Sequence, residues 1–498
     1  MNDPAATDAA AATAYLTIHG HAYQPPRESP RTGEVEAQPS AAPFHDWNQR
    51  IAAECYEAVA SAAEFDDAGA VVGRVNLWGA LSFDLGPTLG VWLDRHRPEV
   101  AAAVAEGAAA GHGHGAMGHP GVHAILPLAA AEDRRVMLRW GLADYEARFG
   151  GRARSMWLPE TAVDTPSLEA LVDEGIEWTL LAPHQVRRIG PDGSDLEPLH
   201  HPLAVTLPSG RGIVVVPYEG MVSHGIAFGG LLDDGARLAD ALLSSGSASV
   251  GELDGAPTGG DRVGDPSPAL VVTAVDMETF GHHHRFGELA VARSLRLLQT
   301  HDQVAVIRPQ EYLDRFGAPR QGRLVERTSW SCAHGVERWR SNCGCRFGDD
   351  QDQMWRRPLR DLLDAVADIV GREFTREAPR DLRDPSAARL DYGSVLTAHG
   401  AARDDATRGF LTRHLASDGD AERAIGWMEL ERLRLEAWSS CAWFFDSPDR
   451  IETRQSLDQA REALVRLHTL TSHDVTGWFD RQIGAGRLGS GESGPGDG

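Results

Sequence analysis

Short apolar runs recur through the first two thirds of the chain, with helical periodicity between them. Tyr15-Leu16-Thr17-Ile18, Val71 to Leu77, Arg154 to Leu158, Trp178 to Leu181, Gly212 to Pro217, Leu270 to Val275 and Val304 to Ile307 predict strands. Val91 to Ala110, Glu132 to Phe149 and Ser167 to Glu174 predict helices. Strands that are apolar on both faces and separated by helices predict a parallel sheet covered on both sides. Such a series of units suits a (β/α) barrel, with an open doubly wound sheet as the alternative, because hydropathy does not encode strand order.

A run rich in Gly, Ser, Asp and Pro, from Ser244 to Pro268, predicts an exposed loop just before the strand that ends at Asp276. From Met354 the pattern is helical throughout: Trp355 to Phe374, Ser386 to Leu415, Ala421 to Trp443 and Arg450 to Leu470. The expected layout is a disordered tail over 1–14, a barrel over 15–316, a helical domain over 317–483 and a Gly-rich disordered tail over 484–498.

Composition narrows the function classes. The 498 residues carry 72 acidic and 48 basic side chains, a formal charge of -24, and every basic side chain apart from histidine is Arg. Nucleic acid is an unsuited partner for such a chain. No stretch approaches the roughly 18 apolar residues of a membrane span. The N-terminal segment has acidic residues and no basic residue before its apolar stretch, unlike a signal peptide. Five cysteines, an odd number, argue against a secreted disulfide scaffold and for a cytoplasmic protein. No nucleotide, flavin or metal cofactor is called for, and oligomeric state leaves no trace in the sequence.

Chemistry gathers where apolar runs break. His19 and His21 stand at i and i+2 at the end of the first strand, so both imidazoles share one face. Gln24, Pro25 and Pro26 follow as a rigid polar mouth. Trp157-Leu158-Pro159-Glu160 ends another strand with a carboxylate beside an indole, a pairing that suits a sugar. The plainer reading makes Glu160 a cap for the helix near Ser167. Asp276 closes the run Leu270 to Val275, and Glu278 follows two residues later as the competing acid.

His19-Gly20-His21-Ala22-Tyr23-Gln24-Pro25, Met156 to Ala162 and Asp276 to His282 resemble the first, third and fourth motifs of glycoside hydrolase family 57, in the same chain order. The second motif corresponds to His112 to Pro127 and the fifth to Thr328 through Trp339; the first carries Ala22 and Tyr23 as extra residues. The C-terminal part, including Ser439 to Asp446, resembles the helical extension of one subgroup of that family. The resemblance implies an incomplete seven-stranded (β/α) barrel followed by a helical C-terminal domain, acting on α-glucans with retention of configuration. It implies Glu160 as nucleophile and Asp276 as general acid/base, with His19, His21, Gln24, Trp157, Glu278, His282, Trp330, His334 and Trp339 as substrate contacts. Trp157 and Trp330 would offer stacking faces. Carboxyls about 5 to 5.5 Å apart would serve a retaining mechanism.

Alternatives remain at this level. His19, His21, Asp276 and the run His282-His283-His284 could ligate a metal in a polysaccharide deacetylase on a related barrel. The barrel could also be a catalytically silent glucan binder. Cys332, His334, Cys343 and Cys345 offer four zinc-type ligands, although a glucan-binding loop with buried thiols is the preferred reading of that segment. Amylase, 4-α-glucanotransferase and branching chemistry share one intermediate and are not separated by these motifs.

Overall fold

In the computed structural model, the strand Ala14–Ala22 is the hub of a parallel sheet. The structure describes residues 12–66, 68–110, 114–198, 200–254, 267–348 and 352–484. One edge of the hub pairs with Ala269–Asp276 along its length, from Ala14↔Ala269 to His21↔Asp276. Its other edge is shared, Val304–Val306 taking the first residues and Ser82–Leu85 the last. Ala116–Met117 continues the wall from Ser82–Leu85. Single residue pairs then carry it on, Gly118 with Met156 and Ser155 with Trp178. Trp178–Leu181 and Gly212–Pro217 complete the circuit. The return to Ala269–Asp276 is one backbone bond, Glu219 N–H to the Val272 carbonyl at 2.6 Å. With Val304–Val306 lying off the path of the wall, the other six strands and the extended segment 155–157 form an incomplete seven-stranded barrel.

Strand alternation explains why the barrel carries chemistry at one end only. Tyr15, Thr17, His19 and His21 share a face of the hub, in register with Leu270, Val272, Ala274 and Asp276. Tyr15, Leu270, Val272 and Ala274 pack in one apolar cluster with Trp157, Trp178, Leu180 and Val216. The opposite faces, Leu16, Ile18, Val271 and Val275, join the larger core under the surrounding helices. The interior face therefore turns from apolar to ionisable toward the C-terminal ends of the strands, where His21 and Asp276 lie side by side.

Several expectations change. Val71–Val75 is half of an antiparallel hairpin with Ala62–Phe65, and Val71 and Val72 are 59% and 57% exposed. The barrel strand in that region is Ser82–Leu85 instead, whose Ser82 and Asp84 face the site and break its apolar run. The stretch Val91 to Ala110 splits at Pro98 into Pro87–His96 and Pro98–Ala110. The expected loop from Ser244 begins as the end of the helix Gly235–Asp254, and residues 255–266 lie outside the described residues. Most of both expected tails, 1–11 and 485–498, lies outside them too. Arg320–Leu324 pairs with Leu203–Thr206 and Val186–Ile189 in a sheet extending from Gly212–Pro217, so sheet structure continues past residue 317.

The helical region starts at Arg356. Its long helices Arg356–Glu377, Ala421–Glu436 and Ile451–Thr471 bury Leu359, Leu363, Val366 and Val370 with Met428, Leu464 and Leu467. It is fastened to the barrel helix Ala131–Phe149 through buried charges: Arg434 donates to Asp133 at 2.6 and 2.8 Å, and Arg389 bonds the same carboxylate and Glu431. Among the described residues, no helix is long and apolar enough to cross a membrane.

Candidate active site

Glu160 sits on a strained turn. It has φ 58° and ψ 19°, and Thr161 follows at φ 48°, two left-handed non-glycine residues in a row. A clamp holds them: the Thr161 hydroxyl donates to Gln185 Oε1 and Gln185 Nε2 donates to the Thr161 carbonyl, both at 2.8 Å. Glu160 does not cap the next helix, Thr165–Asp173. Asp164 does, accepting from Ser167 N–H at 2.9 Å.

The Glu160 carboxylate instead accepts three donors. Trp330 Nε1 and Ser331 Oγ reach Oε2 at 3.1 and 2.7 Å, and Ser440 Oγ reaches Oε1 at 3.0 Å. Ser440 comes from the helical region, held by its N–H on the His123 carbonyl at 2.7 Å. Thus the C-terminal region supplies part of the barrel's site.

A hydrogen-bonded line runs from Asp84 to that carboxylate. Asp84, fully buried, meets His19 Nε2 at 3.2 Å and His21 Nδ1 at 2.9 Å. Burial opposes charge on His21, but Asp84 with Asp276 and Glu278 outweighs it and raises the imidazole to about 9. Burial likewise opposes the Asp84 carboxylate, and His21 and His19 hold it down at about 2. His21 is therefore an imidazolium, its Nε2–H directed at His123 Nε2 at 3.2 Å. Burial pushes His123 well below its usual range, so it is neutral. Its Nδ1–H then donates to Ser440 Oγ at 2.8 Å, leaving the hydroxyl proton for Glu160.

Asp276 has the opposite surroundings. It lies beside His21 in register and receives no hydrogen bond from the described residues. Burial raises it, Glu278 raises it further, His21 counters, and Glu160 adds to the rise, leaving it at about 7. The influence of Glu160 places both carboxylates in one electrostatic field. Trp330 bonds Glu160 while its ring lies edge-on to His21, the register partner of Asp276, at 6.2 Å and to Tyr218 at 6.4 Å. Glu278, in the turn after the strand, is committed elsewhere: Tyr56 and Gln24 donate to Oε1, the latter at 3.2 Å.

Other expected contacts are placed differently. Trp157 is fully buried and stacks under His19 and His21 at 5.1 and 4.8 Å, so it supports imidazoles and offers no open face to a sugar. Trp339 is buried and donates to the Ser440 carbonyl at 3.2 Å. His282 is paired with Glu54 and His284 with Asp233. The deacetylase ligand set of His19, His21, Asp276 and His282 to His284 is therefore not assembled. His21, His119 and His123 bring one ring nitrogen each within 4.8 Å of one another, a set that shares only His21 with those expected ligands. His334 faces Cys345 Sγ at 3.5 Å rather than the carboxylates.

Asp84, Tyr56, His119, His123, Ser331 and Ser440 were not singled out from the sequence. His119 and His123 fall inside the segment assigned to the second motif, and Ser440 inside the run Ser439 to Asp446, but neither segment signalled a role for them. The extra Ala22 and Tyr23 have a clear place. Ala22 prolongs the hub strand, and Tyr23 stacks on His123 at 3.9 Å and bonds Ser439 at 2.8 Å. A cleft of about 530 Å³ adjoins the site, lined by Pro217, Tyr218, Glu219, Met221 and His224 among others.

The profile of glycosyl hydrolase family 57 matches residues 91–322, and residues 352–487 match a family described as a domain of unknown function, DUF3536. The region 91–322 belongs to glycosyl hydrolase family 57. Among solved structures, an exo-type maltose-forming amylase from Pyrococcus sp. ST04 is 15% identical, with a TM-score of 0.69 over 94% of this chain and 82% of that one. A family 57 branching enzyme from Pyrococcus horikoshii is 15% identical, with a TM-score of 0.59 over 95% and 91%. An α-amylase from Thermotoga maritima is 11% identical, with a TM-score of 0.56 over 95% and 97%. At these identities the likeness is one of fold. No curated protein matches the chain. The family profile begins after the hub strand and after Asp84, so His19, His21 and Asp84 are site candidates on the geometry alone.

Proposed function

We propose that this chain is a retaining enzyme of α-glucans, with Glu160 as nucleophile and Asp276 as general acid/base. One observation carries the reading: two carboxylates at barrel strand ends have unlike surroundings, one held by hydrogen-bond donors and one buried beside other acids. Glu160 accepts three donors that fix its carboxylate in place, while Asp276 is raised to about 7 and so keeps a protonated fraction of about one half at neutral pH.

In the first step a Glu160 oxygen forms a bond to the anomeric carbon as the glycosidic C–O bond breaks. The Asp276 proton goes to the departing oxygen. In the second, the Asp276 carboxylate takes a proton from water or a sugar hydroxyl, whose oxygen displaces Glu160 and regenerates both groups. The α-glucan class is extended from the amylases and branching enzyme of the same fold. The cleft beside Tyr218 has room for sugar units on one side of the reacting bond, and Met221 at 83% exposure borders it. With five free cysteines, the cytoplasm suits the chain.

Incubation with maltooligosaccharides and amylose, with product lengths and linkages resolved, separates amylase, transferase and branching activity. Glu160→Gln is expected to cut turnover on the active substrate about 10,000-fold with an unchanged circular dichroism spectrum. Wild-type turnover in that variant would sink the assignment.

A further inference from the structure

Cys332, His334, Cys343 and Cys345 lie outside the carboxylate site, and each turns a ligand atom inward, all four within 4.8 Å of one another. The individual distances are more telling. Cys332 Sγ is 3.8 Å from both Cys343 Sγ and Cys345 Sγ, and Cys345 Sγ is 3.5 Å from His334 Nδ1. Disulfides have sulfurs about 2.05 Å apart, so these thiols are unbonded. A tetrahedral zinc ion with bonds of about 2.3 Å to sulfur and about 2.05 Å to nitrogen sets S···S edges of about 3.8 Å and S···N edges of about 3.5 Å. We propose that Cys332, His334, Cys343 and Cys345 bind a structural zinc ion.

Two further observations fit a metal with three thiolates. Arg356, wholly buried, sends Nη1 toward Cys343 Sγ at 3.8 Å and the Cys345 carbonyl at 2.9 Å. No carboxylate among the described residues forms an ion pair with it, and its Nε and Nη2 lack partners there. Zinc with three thiolates and a neutral imidazole carries a net charge of -1, which supplies the counter-charge this guanidinium lacks. The backbone is also shaped to the cluster. Gly335 turns at φ +80° with its Cα close to the Arg327 carbonyl, where a Cβ would come within 2.2 Å, so the chain doubles back directly after His334. The Cys345 N–H is directed at Cys343 Sγ at 3.5 Å.

Four protein ligands leave no open position, so the zinc is structural rather than catalytic. It would close the segment 332–345 into a rigid loop. That loop carries Trp339 onto the Ser440 carbonyl, and Trp330 and Ser331, just before it, bond Glu160. The ion would therefore brace the donors of Glu160 from a distance. This consequence for catalysis rests on the role proposed for Glu160; the binding of zinc does not.

The full-length protein purified without added chelator is expected to contain about one zinc per chain by elemental analysis. Cys343→Ser combined with Cys345→Ser is expected to lose at least nine tenths of it, whereas His334→Cys, which restores a four-ligand set, retains it. Replacement of zinc by cobalt is expected to give thiolate charge-transfer absorption with intense tetrahedral bands, a readout that needs no folded variant. A zinc-free protein that takes up none on refolding, weak octahedral cobalt bands, or zinc retained in the double serine variant would overturn the proposal. Zinc removal is further expected to slow turnover about 10- to 100-fold. Unchanged turnover with zinc lost would leave the site standing and remove only its link to Glu160.

Discussion

Glu160 and Asp276 both end staves of one barrel, yet their surroundings are built from different materials. The Glu160 pocket is assembled from distant parts of the chain: Trp330 and Ser331 from a loop, Ser440 from the helical region, and the His21–His123 line behind it. Asp276 is surrounded by the barrel's own strand ends and by negative charge from Glu278 and Glu160. Hydrogen-bond donors favour a bare carboxylate, whereas burial among like charges favours a protonated one. The contrast teaches that one cleft can give two carboxylates unlike surroundings without any difference in side-chain chemistry beyond a methylene, which is what the proposed attacking and donating roles require.

The sharpest way to break this contrast is to remove the acid and the nucleophile separately and supply an easy leaving group. Asp276→Asn is expected to lose about 1,000-fold or more on glucan, within the range of general acid catalysis. On an aryl α-glucoside with an acidic phenol, formation of the glycosyl-enzyme should recover, because that oxygen departs without a proton. Glu160→Gln should recover nothing. Equal recovery in both variants, read as the initial burst of phenol, would erase the distinction between them.

Loosening the helical region should disturb one pocket and spare the other. Asp133 is buried between Arg434 and Arg389, and although burial opposes its charge, those arginines pull it down to about 2. Asp133→Ala leaves their guanidinium groups buried and short of a partner, a change expected to cost about 3–5 kcal/mol in urea unfolding at pH 7. The folded value lies below the ordinary 3.8. The Asp133 contribution is therefore present above pH 4 and lost as pH falls from about 4 to about 2, so the variant and the parent should converge in that window. Turnover should fall with Ser440 displaced, while the alkaline limb of the pH profile, set by Asp276, stays in place.

That limb offers a third test. A proton donor at about 7 is lost as pH rises through that value, so kcat/KM should fall above about pH 7. Glu278→Gln removes a like charge and should move the limb about one pH unit toward acid, a tenfold change at fixed alkaline pH. His21→Gln removes a positive neighbour and should move it the other way. Abolition of activity in Glu278→Gln with Asp276→Asn active would make Glu278 the donor and end the comparison as drawn.

How legible this was depended on the distance between partners. Asp276 and His21 could be read because each ends an apolar run, and strand alternation brings them to one face. Ser82–Leu85 hid because its site-facing Ser82 and Asp84 spoil the apolar run, whereas the exposed Val71 and Val72 mimic one. Trp157 beside Glu160 looked like a sugar platform, but the local sequence could not reveal that His19 and His21 cover it. In the sequence His334 is both a candidate sugar contact and a candidate zinc-type ligand, and the approach of Cys345 to it appears only in the folded chain, after the turn at Gly335. Ser440, 280 residues from Glu160, had no local signature at all.

Ser440 gives the finest test. It is one of three donors to Glu160 and the only one of them that also accepts from His123. In Ser440→Ala the carboxylate keeps Ser331 and Trp330, and the His123 Nδ1–H loses its acceptor. The expected loss is about fivefold in kcat with little change in KM, equivalent to about 1 kcal/mol and typical of one hydrogen bond among several. Ser440→Thr, which keeps the hydroxyl, should restore most of it. The alkaline limb should not move in either variant, because Ser440 does not contribute to the raised Asp276. A limb that shifts with Ser440→Ala would mean that the two carboxylates are not independently set, and that the His21–His123–Ser440 line carries charge from one pocket to the other.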